Sequence, residues 1–144
     1  MAQIAGSSIS CASGWHQMNQ RCFYISNVSE IVRTFTEGES ACIKKNTKAH
    51  LASIHSNTED NFILANAPGQ KIWLGGSDEG KEGSWFWKDG SPWTYSHWGG
   101  DQPDKGEEEN CLMISEREWH DVKCAGDWFT HASGYACSYR LDGD

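Results

Sequence analysis

Apolar residues in this chain come in short runs separated by glycine, serine, asparagine and aspartate, and their period changes along the sequence. Over residues 34–45, Phe35, Ala41, Cys42 and Ile43 fall at roughly helical spacing, with Gly38 as the weak point. Ser56-Asn57-Thr58-Glu59 has the S/T-x-x-E form of a capping box and precedes Phe62, Ile63 and Leu64. A second helix is therefore expected over about 58–67, ended by Pro68-Gly69. Residues 50–54 read as a short buried strand, 72–76 as a central strand closed by a glycine turn, and 85–87 as a short aromatic strand. Asp89-Gly90 marks a turn, because glycine tolerates positive φ. Leu112, Met113, Ile114 and Trp119 fit a hairpin whose arms lead to Cys111 and Cys124, and residues 135–139 read as a terminal strand. Near the start, Trp15, Phe23 and Tyr24 are expected anchors, and Cys11 and Cys22 are placed to staple a short hairpin.

Two early helices followed by short strands, without βαβ alternation, predict an α+β fold. At 144 residues the chain suits one domain, expected to span 11–144 behind a small, polar tail at 1–10. The stretch 93–109 has little periodicity, and a long ordered loop of that kind tends to carry function.

Six cysteines in a chain of this size point to three disulfides and an oxidising compartment. The connectivity is open at this level, since six cysteines allow about 15 arrangements. There is no Cys-x-x-Cys pair and no His-x-x-x-His pair of the metalloprotease type. A formal net charge of −8 disfavours nucleic acid and anionic membrane surfaces as partners, which call for a basic face. No apolar run approaches the roughly 20 residues of a membrane span, and MAQIAGSSIS lacks the features of a secretory leader. Asn27-Val28-Ser29 is a glycosylation acceptor triplet.

Candidate chemistry collects between Trp93 and Asp121. Gln102-Pro103-Asp104 is followed by Glu107-Glu108-Glu109, Cys111, Trp119-His120-Asp121 and Cys124. Carboxylates and an amide oxygen are thus gathered around a segment that two cysteines can close. Hard oxygen ligands suit Ca²⁺, which takes about six to eight of them.

Taken together, these segments resemble a C-type lectin-like domain. The likeness rests on GWxxxxxxCFY from Gly14, the helix reaching Cys42, HLASIHSNTED, IWLGG, FWKDGSPWTYSHW and the order QPD…ENC…WHDVKC…YAC. It covers nearly everything from Cys11 to Tyr139. The resemblance implies disulfides Cys11–Cys22, Cys42–Cys137 and Cys111–Cys124. It further implies a Ca²⁺ held by Gln102, Asp104, Glu109 and Asp121, a cis bond between Gln102 and Pro103, and a sugar bound on the ion and on the same side chains. Family members with Gln-Pro-Asp favour galactose and N-acetylgalactosamine, whereas Glu-Pro-Asn favours mannose-like sugars.

Two departures from the family pattern stand out. His120 replaces the Asn that normally gives the ion an amide oxygen, and imidazole nitrogen is a poor Ca²⁺ ligand. It is expected to leave a ligand position to water or to point toward the sugar, the plain alternative being a solvated loop residue. The loop after Asp104 also lacks the aromatic ring that galactose-specific members stack on the sugar, leaving His97, Trp98 or Trp128 as substitutes. Weak, millimolar binding of a single sugar is then expected, about −4 kcal/mol, with avidity supplied by multivalency or a noncovalent homodimer. Asp78, Glu82 and Asn110 are candidates for an auxiliary metal site, opposed by Lys105. The leading expectation is a secreted, Ca²⁺-dependent, non-enzymatic galactose lectin. The alternative is an ice-, mineral- or protein-binding module on the same fold.

Overall fold

The computed structural model describes residues 10–67, 69–103, 109–130 and 132–142. Its two helices lie over the segments whose apolar spacing predicts them, and the second begins at the capping box read from the sequence. Helix α1 (Phe35–Lys45) is capped by the Thr34 hydroxyl, which accepts from Glu37 N. Lys44 and Lys45 in its last turn complement the helix dipole. Gly38, the weak point of the helical pattern, is explained by packing: a Cβ there would lie 3.1 Å from a Leu51 methyl. Helix α2 (Asn57–Asn66) starts at Ser56, whose hydroxyl accepts from Glu59 N at 3.2 Å. Glu59 reaches back one residue further than in a closed capping box. Its carboxylate accepts from His55 N at 2.7 Å and from the Arg21 guanidinium at 2.6 Å.

The strands are β1 (His16–Met18), β2 (Arg21–Ile25), β3 (His50–Leu51), β4 (Ile72–Ser77), β5 (Phe86–Trp87), β6 (Cys111–Ser115), β7 (Glu118–Val122) and β8 (Gly134–Arg140). They form one sheet in the order β1-β2-β8-β4-β6-β7, with β3 added to β8 and β5 to β4. The expected antiparallel pieces are present, but they are joined by a parallel pair, β4 on β8, with Ile72 opposite Gly134 and Trp73 opposite Tyr135. The strand expected over 50–54 pairs only through His50 and Leu51. Beyond them Ala52 bridges β8 to β4: its N donates to Ala136 O at 2.8 Å, and its O accepts from Gly75 N at 2.9 Å. This crossing explains the glycine in IWLGG, because a Cβ on Gly75 would lie 2.4 Å from Leu51 O. Trp85 stays outside β5, and Phe86 is partly exposed.

Alternation along β4 feeds two cores. Trp73 packs with Phe35 and Cys42 of α1, and with Leu51, Met113 and Tyr135. Ile72 and Leu74 pack with Ile63 and Leu64 of α2, and with Phe23, Leu112 and Trp119. Residues i and i+2 share a face of a strand, so β4 needs apolar side chains at successive positions to serve both cores. Trp15, ahead of β1, packs tilted against Tyr24 and edge-on against Tyr139, with ring centroids 5.6 and 4.9 Å apart.

The three disulfides are Cys11–Cys22, Cys42–Cys137 and Cys111–Cys124, and no cysteine is free. Cys42–Cys137 ties α1 to β8 across 95 residues of sequence. A second tie at the same end is ionic. The Glu30 carboxylate accepts from Lys45 Nζ at 2.8 Å, from the Tyr24 hydroxyl and from Asn27 N at 3.0 Å. Burial pushes the Glu30 carboxyl up, but the bonds from Lys45, Tyr24 and Asn27 outweigh it and hold the pKa at about 2.

Two predictions follow from these ties. Replacing Cys42 and Cys137 together by alanine is expected to cost roughly 4–5 kcal/mol through the freed loop entropy, read as a shift in the denaturant midpoint. For Glu30, the lowered folded pKa means that its contribution is complete above the ordinary carboxylate range and is lost as pH falls toward about 2. Acid titration of stability should therefore show a decline in that window, and Glu30→Gln should flatten it.

Candidate functional site

Five tryptophans position the loop that follows β5. Trp93 lies parallel to Trp87, with ring centroids 4.3 Å apart and planes at 19°. Trp98 packs edge-on against Trp85 at 4.9 Å, and Trp119 of β7 presents its edge or face to Trp87, Trp93 and Trp98. One carboxylate organises the group. Asp60, in the first turn of α2, is fully buried. Its Oδ1 accepts from Trp119 Nε1 at 3.0 Å, and its Oδ2 lies 2.6 Å from His97 Nδ1 and 3.3 Å from the Tyr95 hydroxyl. Helix α2, strand β7 and the 93–103 loop therefore meet on a single side chain. Asp60 is the residue the sequence did not reveal. An acid in the first turn of a capped helix is ordinarily a solvated partner of the helix dipole, and nothing local to it announces burial.

The loop's backbone adds to β7. Trp119 N donates to His97 O and Gly99 N donates to Trp119 O, each at 3.0 Å. Gln102 N then donates to Gly99 O at 3.0 Å, closing a turn in which Asp101 has φ +65°. Aspartate is one of the few non-glycine residues that enter this left-handed region readily. The next peptide bond, Gln102-Pro103, is cis, as the resemblance implies. From that position the Gln102 side chain reaches β7, where its Oε1 accepts from Asp121 N at 3.2 Å. Asp121 is 3% exposed. Opposite it, β6 and β7 are joined by a two-residue turn in which Glu116 and Arg117 both have positive φ, the arrangement of a tight hairpin turn.

The structure thus brings Gln102 and Asp121 together and seats Glu109 immediately before Asn110 and β6. Asp104, like Lys105, Glu107 and Glu108, lies outside the described residues. His120 is on β7 and half-buried rather than a solvated loop residue. Its Nε2 is enclosed without a hydrogen-bond partner among the described residues. A similar orphan marks the auxiliary candidates. Asp78 is 1% exposed, and its Oδ2 accepts from Gly83 N at 2.8 Å while its Oδ1 has no such partner among the described residues. Asp78 N donates to Asn110 O at 3.1 Å, so these two candidates adjoin, whereas Glu82 sits on the exposed 79–84 turn.

The proposed aromatic substitutes resolve differently. His97 is bound to Asp60 and Trp98 is wedged into the tryptophan group, so both serve the scaffold. Trp128 is 82% exposed, beside Arg33, Thr34, Glu37 and Asp127 near the start of α1. A groove of about 420 Å³, including Met18, Arg21, His55, Glu59 and Pro92 in its lining, takes none of the sequence-predicted residues.

The donor set at Gln102 and Asp121 fits a hard cation. An amide oxygen has two lone pairs, so Gln102 Oε1 can accept from Asp121 N and still face a metal. The buried Asp121 carboxylate supplies charge. Among the described residues no group of three or more His, Cys, Asp or Glu side chains converges as a metal cluster. Removing the Asp60 carboxylate should loosen this end of the molecule. Asp60→Ala leaves the buried Trp119 indole N–H without its acceptor, a cost of about 1–3 kcal/mol. The expected readouts are a lower Tm and a changed near-ultraviolet circular dichroism signal from the tryptophan group.

Comparison with known proteins places this geometry in a family. The model of the lectin C-type domain matches residues 31–128. The chain is 41% identical over 123 residues to a protein named galactose-specific lectin nattectin, from Thalassophryne nattereri, covering 80% of this chain and 74% of that protein. It is 33% identical over 127 residues to ladderlectin from Oncorhynchus mykiss, covering 82% of this chain and 64% of the relative. Among solved structures, a calcium-independent type II antifreeze protein superposes with a TM-score of 0.78 at 28% identity, covering 94% of this chain and 98% of that one. The fold, the three disulfides and the matched residues together establish that this chain belongs to the C-type lectin domain family.

Proposed function

We propose that this protein is a secreted, Ca²⁺-dependent lectin that binds terminal galactose or N-acetylgalactosamine through Gln102, Asp104, Glu109 and Asp121. The observation that carries this reading is the Gln102 side-chain oxygen held 3.2 Å from Asp121 N, which couples the loop to the buried acid on β7. The identity shared with a protein named as galactose-specific supports the sugar class. When bound, the ion supplies Lewis-acid positions for two sugar hydroxyls. The residues supply the pattern around it: the Gln102 amide nitrogen donates, while the Asp104 carboxylate accepts only. His120, whose Nε2 is enclosed without a partner among the described residues, immediately precedes Asp121 on β7. The disulfides suit an oxidising, extracellular setting. Among the described residues no helix is long and apolar enough to cross a membrane. With every cysteine paired internally, association into a homodimer for avidity would be noncovalent.

A second reading is favoured by the superposition on a calcium-independent antifreeze protein. It assigns the same face to ice, or more broadly to a mineral or protein surface, without sugar or metal. This reading predicts thermal hysteresis or surface binding that is indifferent to chelation.

The two separate on a galactose resin. Under the lectin reading the protein is retained in millimolar Ca²⁺, elutes with EDTA and is displaced by galactose but not by mannose. Asp121→Ala and, independently, Asp104→Ala should abolish retention while leaving the folded circular dichroism signal. Retention in EDTA, or survival of binding in Asp104→Ala, would sink the site assignment. Mannose displacement would keep the site and overturn the sugar class.

A further inference from the structure

We propose that Asn27 is an N-glycosylation site and that its glycan covers the exposed apolar corner made by Val28 and Ile31. Asn27-Val28-Ser29 is the one Asn-x-Ser/Thr triplet in the chain with x other than proline. Its placement is what turns a common motif into a site. The triplet follows β2 and is exposed along its whole length. Ser29 N and the Ser29 hydroxyl both donate to Asn27 Oδ1, at 3.0 and 2.6 Å. The amide oxygen is thereby turned back onto the turn, and Asn27 Nδ2 has no acceptor among the described residues.

The backbone on either side is firmly held, so an exposed chain here is not a frayed one. Ser26 is buried, and its N donates to Tyr135 O at 3.0 Å. Glu30 N donates to Asn27 O at 2.9 Å, and the Glu30 carboxylate accepts from Asn27 N at 3.0 Å and from Lys45 at 2.8 Å. Around this turn the surface is apolar for no internal reason. Val28 is 80% exposed and Ile31 58% exposed, on the rim of a 250 Å³ groove shared with Gly69, Lys71 and Gly134. A bulky, solubilising oligosaccharide on Asn27 would lie over these two side chains.

Topology keeps the modification clear of the candidate binding loop. Gly134 and Ile72 pair at the start of β4, beside Asn27, whereas Ser77 at its far end pairs with Cys111 next to Asn110. The two ends are the first and last residues of a six-residue strand that rises about 3.3 Å per residue.

The reaction is a glycosyl transfer. Its donor is an oligosaccharide on a polyisoprenyl pyrophosphate, the class of co-reactant used in the secretory pathway. Asn27 Nδ2 forms a bond to the anomeric carbon as the bond from that carbon to the pyrophosphate oxygen breaks. The pyrophosphate leaves with the electron pair, and Nδ2 gives up one proton.

The test is secretion of the full chain, behind a leader peptide, from a eukaryotic cell line. The secreted protein should shift to lower mass on treatment with peptide N-glycosidase F in a single step, with Asn27 converted to Asp in the peptide map. Asn27→Gln and Ser29→Ala should each remove the shift, and Ser29→Thr should keep it. Secreted wild-type protein with unmodified Asn27 in the peptide map overturns the proposal, whether or not any variant folds. A mass shift that persists in secreted Asn27→Gln overturns it as well.

Discussion

The buried Asp60 carboxylate is the constraint on which the candidate binding end depends. A carboxyl group removed from water is costly unless its oxygens find hydrogen-bond partners, and here they find them in Trp119, His97 and Tyr95. Those donors belong to a strand and to a loop, and the acid ties both to α2. The acid therefore converts a helix terminus into a fixed reference for residues 95–103. The tryptophans then fill the space around it, and their size leaves the loop little choice of path. Gln102 meets Asp121 because Trp119, two residues earlier on β7, is already held on both its indole nitrogen and its backbone.

The parallel contact between β4 and β8 sets the polarity of the molecule. It joins the half of the sheet that carries the amino-terminal hairpin and the Cys42–Cys137 bridge to the half that carries the β6–β7 hairpin. One end of β4 is thereby given to Cys111, Asp78 and Asn110, and the other to the turn that bears Asn27. Ligand recognition and surface modification can thus occupy opposite ends of one strand without interference.

Much of this was legible in the chain. The cap at Ser56 places the start of α2 because a side-chain oxygen satisfies an orphan N–H locally, and the spacing of Phe35, Ala41, Cys42 and Ile43 marks α1, whose Thr34 cap emerged only in the structure. The hairpin at 111–122 and the terminal strand at 134–140 follow from short apolar runs between turn residues. The ligand-like oxygens at Gln102, Glu109 and Asp121 were visible as residue types around two cysteines. Residues 50–54 were misread in part: the pairing stops at Leu51, Ala52 bridges two strands, and Ala52, Ser53 and Ile54 are buried without extending the strand. For His120, the plain alternative of a solvated loop residue is removed by the register of β7 against β6, which pairs it with Met113.

Residue pattern and composition were enough for the fold class, the cysteine count that allows three bridges, and the set of oxygen-bearing side chains available to a cation. These depend on composition and on spacing within one segment, which the chain carries without reference to its own distant parts. Only the tertiary structure decided that Asp60 is buried, that His97 and Trp98 serve the scaffold while Trp128 faces solvent, and that the two sheet halves join in parallel. Each of those outcomes is fixed by partners far away in sequence: 59 residues separate Asp60 from the indole it accepts from. Burial and hydrogen-bond satisfaction are properties of the packed whole, so no local pattern encodes them.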